Sequence, residues 1–386
     1  MNRVGRGRVY LDHHATTPLG TAAREAMVRA MEAGPGNPSS PHGDGRQARS
    51  MLETARRQVA EAAGAAPREV VFTSGGTEAV DAAVLGVGEA MGARTVWCDP
   101  GAHPCLRAAC EGVAAGLGEG VRWVPTVAGK GGMHDVAALD AALATGGPGA
   151  LVAVSLVQHE TGGMADLAAL GRVCNGRGAL LVLDAVQALG KVALDLQASG
   201  AVAAALSGHK LGGPAGVGAL WLGAGVKIRQ RVRGGGQERG VRAGTENLLG
   251  AVGFGAAAAE VGARLGAMAG VGALRDVVAA RMEALGAVVN DTERPRVATV
   301  VHASWEGLAA QELVAALDLE GFAVSAGAAC SSGRVEPSES VLRMYPEAPW
   351  RAGGALRVSL GPSTTEAEVR GFGEALARVL PRFRGS

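Results

Sequence analysis

The chain is poor in several features that would settle its class quickly. It has five cysteines in 386 residues, Cys98, Cys105, Cys110, Cys174 and Cys330, an odd count without a Cys-x-x-Cys pair. That argues against a disulfide framework and a zinc knuckle, and fits a reduced cytoplasm. Aromatic residues make up only 3%, too few for the stacking platforms that hold single-stranded nucleic acid. Charge of one sign is also missing: 37 basic against 36 acidic side chains leave +1, with no broad positive field to gather phosphate backbones or anionic lipid. Direct nucleic-acid partners are therefore not expected. Apolar runs are broken by Glu260, Arg264 and Arg275 before they reach the ~18 residues of a membrane span. After Arg3, Arg6 and Arg8 the stretch Val9–Thr17 carries Asp12 and two histidines where an export signal needs an apolar core. A cytoplasmic chain without a membrane segment is the expectation.

Glycine is abundant instead, 61 residues against a usual share of about 7%, without the three-residue period of collagen. With 48% hydrophobic residues the chain can fill a large core. Short aliphatic runs alternate with longer Ala-, Arg- and Glu-rich segments, the pattern of a mainly parallel sheet covered by helices. Strands are predicted at 70–72, 95–98, 151–157, 180–183, 202–206 and 217–222, helices at 46–63, 78–91, 104–115 and 167–177. A long Ala-rich helix is predicted over 249–285, with further strands at 297–302, 322–325 and 355–360. The division expected is a large domain, residues 16–255, and a smaller α+β domain from 1–15 and 256–386.

In open α/β sheets ligands sit beyond the carboxyl ends of the strands. Thr73-Ser74-Gly75-Gly76-Thr77-Glu78 follows the first strand as a small-residue loop opening a helix, suited to a phosphate. Asp184-Ala185-Val186-Gln187 puts a carboxylate at a buried strand end, where it needs a cationic or hydrogen-bonding partner. Ser207-Gly208-His209-Lys210 then places a lysine between a buried strand and a glycine-rich loop, a setting that favours a Schiff-base nucleophile. Each part alone is matched by a capped turn, a helix cap or a surface charge. Together they meet what pyridoxal phosphate needs: an amine for its aldehyde, an acid for its ring nitrogen and amides for its phosphate. No metal site is expected.

These motifs, with Tyr10-Leu11-Asp12-His13-His14-Ala15-Thr16-Thr17-Pro18, Arg242-Ala243-Gly244-Thr245-Glu246-Asn247, Ala326-Gly327-Ala328-Ala329-Cys330-Ser331-Ser332-Gly333 and Leu356-Arg357-Val358-Ser359-Leu360-Gly361, run through almost the whole sequence. The chain resembles the cysteine desulfurases of the NifS/IscS type, class V aminotransferases of fold type I. The resemblance implies a PLP-dependent transferase fold: a large domain with a mainly parallel seven-stranded sheet sandwiched by helices, plus the small domain. It implies conversion of L-cysteine to L-alanine with sulfur carried as a persulfide on Cys330. An acceptor protein would take the sulfur, such as an iron–sulfur scaffold or a tRNA-thiolation carrier.

By the same resemblance Lys210 holds the cofactor, Asp184 its ring nitrogen and Gln187 its phenolic oxygen. Gly76, Thr77, Ser207 and His209 bind its phosphate, joined by Thr245 from the partner of a homodimer. His103 stacks on the ring and carries a proton. Arg357 clamps the substrate carboxylate, a task suited to a planar two-donor fork. Where the family shows two asparagines this chain has Gln158 and His159. His159 is expected to serve both cofactor and substrate through one imidazole hydrogen bond. Val80-Asp81 replaces a usual Asp-Asn pair, and Ser338-Glu339-Ser340 is one residue longer than usual. The rival readings are a selenocysteine lyase, a class V aminotransferase, or a non-catalytic binding partner of the same fold.

Overall fold

The computed structural model describes residues 7–34, 36–327 and 337–383. Seven strands form one sheet in the order Val70–Thr73, Gly218–Leu222, Ala203–Ser207, Leu180–Asp184, Ala150–Ser155, Thr95–Cys98 and Arg122–Trp123. Gly218–Leu222 runs against both neighbours, and every other pairing is parallel. The sheet and its type agree with the sequence-based expectation.

The strands are short and almost wholly apolar because both faces are covered. Alternate side chains go to opposite sides. Phe72, Val152, Val154, Leu181, Leu183, Leu206 and Trp221 enter one buried cluster. Val71, Val96, Leu151, Ala153, Val182, Ala205 and Leu220 enter another. Each fully buried Val or Leu contributes roughly 1.5–3 kcal/mol, so the sheet is a rigid base. Because six strands point the same way, Thr73, Cys98, Ser155, Asp184 and Ser207 all end at one edge.

The predicted helix at 78–91 is one helical run, but it starts at Gly76 and contains a π-turn at Ala82–Gly86. A widened turn releases backbone carbonyls, and the Arg229 amide donates to that of Gly86 at 2.9 Å. The single helix expected over 249–285 is a correction: it divides at Glu260 into Leu248–Ala259 and Val261–Ala284, bent by 56°. The first half buries Ala251, Phe254 and Ala257 in the core of the large sheet. The second half buries Val271, Val278 and Met282 under a different sheet. One straight helix cannot face both. No single helix among the described residues is long and apolar enough to cross a membrane.

The second sheet has four antiparallel strands in the order Ser325–Ala326, Ala355–Ser359, Val300–Ser304 and Val288–Val289. Val9–Tyr10 pairs in parallel with Phe322–Ala323, and Asp12 bridges to Ser359. From there the chain crosses to the edge of the large sheet, where the Thr17 amide donates to the carbonyl of His209 at 2.9 Å.

Candidate active site

The strand ends converge on a cavity of about 340 Å³. Gly76, Thr77, His103, His159, Asp184, Gln187, Ser207, His209, Lys210 and Arg357 all line it. The structure therefore brings together ten of the sequence-predicted site residues. Thr245 is not among them: it is exposed and lines a separate recess with Phe72, Thr73 and Ser74. Cys330 lies outside the described residues.

Lys210 follows Ser207 in a short 3-10 turn. Its Nζ donates to the backbone oxygens of His14 at 2.5 Å and Ala15 at 2.8 Å, so the N-terminal segment fixes the amine on the cavity wall. Gln187 Nε2 donates to the same His14 oxygen at 2.9 Å, while its Oε1 accepts from Lys191 at 2.9 Å. Asp184 is buried, and burial raises its pKa, although the Val186 amide at 3.1 Å and the nearby His159 and Lys210 oppose this. An acid held this way lacks a full cationic partner of its own.

His103 caps the helix Pro104–Leu117 with Nδ1, which accepts from the Cys105 amide at 3.2 Å. Burial, with His159 and Lys210 nearby, lowers its pKa to about 3. The ring is thus neutral at ordinary pH, and with Nδ1 accepting, its proton sits on Nε2. The Cys105 thiol lies 3.0 Å from the same Nδ1, and burial raises the thiol to about 12. His159 meets the His103 ring edge-on at 4.9 Å. Its Nε2 lies 3.3 Å from Glu160 Oε1. Glu160 is fully buried, which pushes its pKa up, yet His159 and His302 hold it well below the usual range.

Arg357 is buried on the strand Ala355–Ser359, with Nη1 donating to the His159 oxygen at 3.3 Å and Nη2 to Asp12 Oδ1 at 3.1 Å. Its Nε is buried with no hydrogen-bond partner, as is the Ser207 hydroxyl. A buried donor without an acceptor costs about 1–3 kcal/mol, so these two atoms call for a ligand. Gly76 supports this: a Cβ there would stand 2.8 Å from Val186 Cγ2 and 3.4 Å from Ser207 Cβ. The residues fit pyridoxal phosphate, with a buried acid, a fixed amine and an orphaned hydroxyl beside a helix start whose first amides have no helical acceptor.

The departures from the family pattern have structural answers. Gln158 is internal scaffolding: its Oε1 accepts from the amides of Glu160 and Thr161, each at 2.6 Å, and its Nε2 donates to the Gly101 oxygen. Val80 is buried, and Asp81 anchors its helix through Arg231 Nε at 2.9 Å. In the longer stretch Ser338 caps the helix Glu339–Met344 and donates to Glu160 Oε1 at 2.6 Å, while Ser340 donates to the Ala102 oxygen at 2.9 Å. The inserted serine side therefore pins this stretch beside the His103 loop. Sequence reading missed His14, Thr16 and Cys105 on the cavity wall. Cys105 carried a signal, two residues after His103 at the start of a helix. The backbone oxygens that hold Lys210 carried none.

Comparison with known proteins agrees with this geometry. The family described as aminotransferase class-V matches residues 9–372. A cysteine desulfurase of Cereibacter sphaeroides is 40% identical, covering 98% of this chain and 97% of that protein. An IscS-like cysteine desulfurase of Mycobacterium tuberculosis is 37% identical over 97% of each. Among solved structures, a NifS-like protein superposes with a TM-score of 0.87 at 28% identity, covering 97% of this chain and all of the other. A NifS-like protein of Rickettsia africae gives 0.86 at 26% identity. The chain belongs to the class V aminotransferase family, within its PLP-dependent cysteine desulfurases.

Proposed function

We propose that this chain takes sulfur from L-cysteine, releases L-alanine and passes the sulfur on from Cys330 to an acceptor protein. The convergence of Lys210, Asp184 and Arg357 on one cavity carries the reading. When bound, pyridoxal phosphate draws electrons from the substrate α-carbon. Lys210 would supply the amine that holds its aldehyde, and Asp184 would pair with its ring nitrogen. Ser207, His209, Gly76 and Thr77 would hold its phosphate, and Thr245 of a second copy would complete that site in a homodimer. Gln187 and His159, on the same cavity wall, would hydrogen-bond its phenolic oxygen.

Arg357 orients the substrate by its carboxylate, since a guanidinium fork matches two carboxylate oxygens. Asp12 must share that fork, so carboxylate binding competes with a protein acid for one Nη. His103 holds its proton at Nε2 over the cavity. Cys330 acts as thiolate: it bonds to the substrate sulfur, the carbon–sulfur bond breaks with its electron pair left on carbon, and a proton there gives L-alanine. The persulfide is then handed to an iron–sulfur scaffold or a tRNA-thiolation carrier. For the chain's division we propose 16–255 and 1–15 with 256–386. The break at Glu260 and the pairing of Val9–Tyr10 with Phe322–Ala323 support it.

Two variants test the roles. In Cys330→Ala, persulfide formation from L-cysteine should vanish while the bound cofactor keeps its colour. In Lys210→Ala, that colour should shift to free-aldehyde absorbance and alanine release should fall by roughly 1,000-fold or more. A persulfide still formed on Cys330→Ala, or an unchanged spectrum in Lys210→Ala, would overturn the assignment.

A further inference from the structure

A second cavity, of about 410 Å³, is lined by His13, Thr17, Thr21, Glu260, Arg264 and Ser363 among others. A small recess that shares His13, Thr17, Arg264 and Pro362 with it reaches inward to Lys191 and Lys210. The N-terminal segment thus serves both cavities: His14, Ala15 and Thr16 face the first, His13 and Thr17 the second.

Its charges are poorly matched. The Arg264 side chain is only 15% exposed, and its Nε is buried with no hydrogen-bond partner. Its one ion pair among the described residues is with Glu260 at 3.9 Å, a carboxylate whose side chain is 44% exposed. His13 is 5% exposed, and its Nδ1 is likewise buried without a partner. Lys191 is buried and donates to Gln187 Oε1, a neutral amide, with no carboxylate paired to it among the described residues. Burial, Lys210 and Arg264 lower its pKa to about 7. Withdrawing a guanidinium from water costs several kcal/mol unless a close anion compensates. Glu260, at a distance and half in solvent, does not.

We propose that this second cavity binds a small oxyanion, a carboxylate or a tetrahedral sulfate or phosphate, on the Arg264 guanidinium, with His13 and Lys191 as neighbouring donors. The fork of Arg264 presents paired N–H groups that match two oxygens of such an ion. The neutral His13 ring offers one N–H. The hydroxyls of Thr21 and Ser363 lie on the wall. Neither Asp184 nor Arg357 lines it, so the site stands apart from the catalytic reading. It nevertheless touches that machinery, because Thr17 Oγ1 donates to the Lys210 oxygen at 3.1 Å and Lys191 holds Gln187.

The test uses the full chain saturated with pyridoxal phosphate, so that the cofactor's own phosphate site is filled. Thermal unfolding is followed against sodium sulfate and, separately, sodium acetate, with sodium chloride at equal ionic strength as reference. One of the two anions should stabilise saturably where chloride does not. Preference for acetate marks a carboxylate ligand, and preference for sulfate a tetrahedral one. In Arg264→Gln the apparent Kd should rise by roughly tenfold or more. Where that variant fails to fold, Arg264→Lys keeps the charge without the fork and should weaken binding by about threefold or more. No saturable response, a response lost once cofactor saturates, or undiminished binding in the Arg264 variant that folds would each overturn the proposal.

Discussion

The two cavities share one peptide segment but differ in how their polar groups are balanced. In the first, a buried acid, Asp184, stands near Lys210 and His159, and the fork of Arg357 already touches Asp12. In the second, Arg264, Lys191 and His13 face one distant, half-exposed carboxylate. The difference teaches that burial alone does not mark a catalytic site. The first cavity combines opposite charges with a nucleophilic amine, which chemistry on a substrate needs. The second sets buried basic donors against a single half-exposed carboxylate, which suits holding an anion.

Three changes would break or sharpen this contrast. The largest effect is expected from Asp184→Asn, which should cut alanine release by roughly 100-fold or more. The same change should stabilise the cofactor-free chain by about 1 kcal/mol, or about 1 °C in Tm for a chain of this length. The folded pKa of Asp184 lies above its unfolded value, so ionisation costs stability once pH rises through the carboxylate range. A cofactor-free Tm that falls in Asp184→Asn would show the acid is already well paired.

Next comes Lys191→Met, read as Tm against pH. The folded pKa of Lys191, about 7 against an ordinary 10.5, means the folded chain gives up this proton first. Stability should therefore rise with pH between about 7 and 10 in the parent, and the rise should flatten in Lys191→Met. Equal slopes in the two proteins would refute the unpaired buried ammonium. The smallest effect is expected from His159→Asn. It keeps one side-chain donor on the cavity wall but removes the ring beside Glu160 and His103. A change in kcat/KM within about threefold is expected, with Tm lowered through loss of the Glu160 contact. A drop of 100-fold or more would make His159 part of the chemistry.

Much of the first cavity was legible in the sequence, for a physical reason. A parallel sheet delivers its strand ends to one edge, so Asp184, Ser207 and Lys210 could be placed from the apolar runs before them. Arg357 was legible only through family resemblance, because its strand belongs to the other sheet and its approach depends on long-range packing. The break at Glu260 was not legible: Ala-rich helical periodicity continues across it, and only two cores facing different ways require the bend. The second cavity was invisible for the same reason. Residues 13, 191, 264 and 363 carry no shared motif, and each in isolation reads as an ordinary surface or core position.

The crossing of residues 9–17 from the small sheet to the catalytic lysine has an implication for biogenesis. These residues are made before the large sheet, but their partners at 322–323, 357 and 359 are made after it. The large sheet has all its strands once residue 222 is out, while residues 9–12, next to the carbonyl groups that steady Lys210, still lack their partners. Assembly of the reactive pocket is thereby deferred until residues 322–359 are made, and a nascent chain carries its foldable platform well before it carries a working centre.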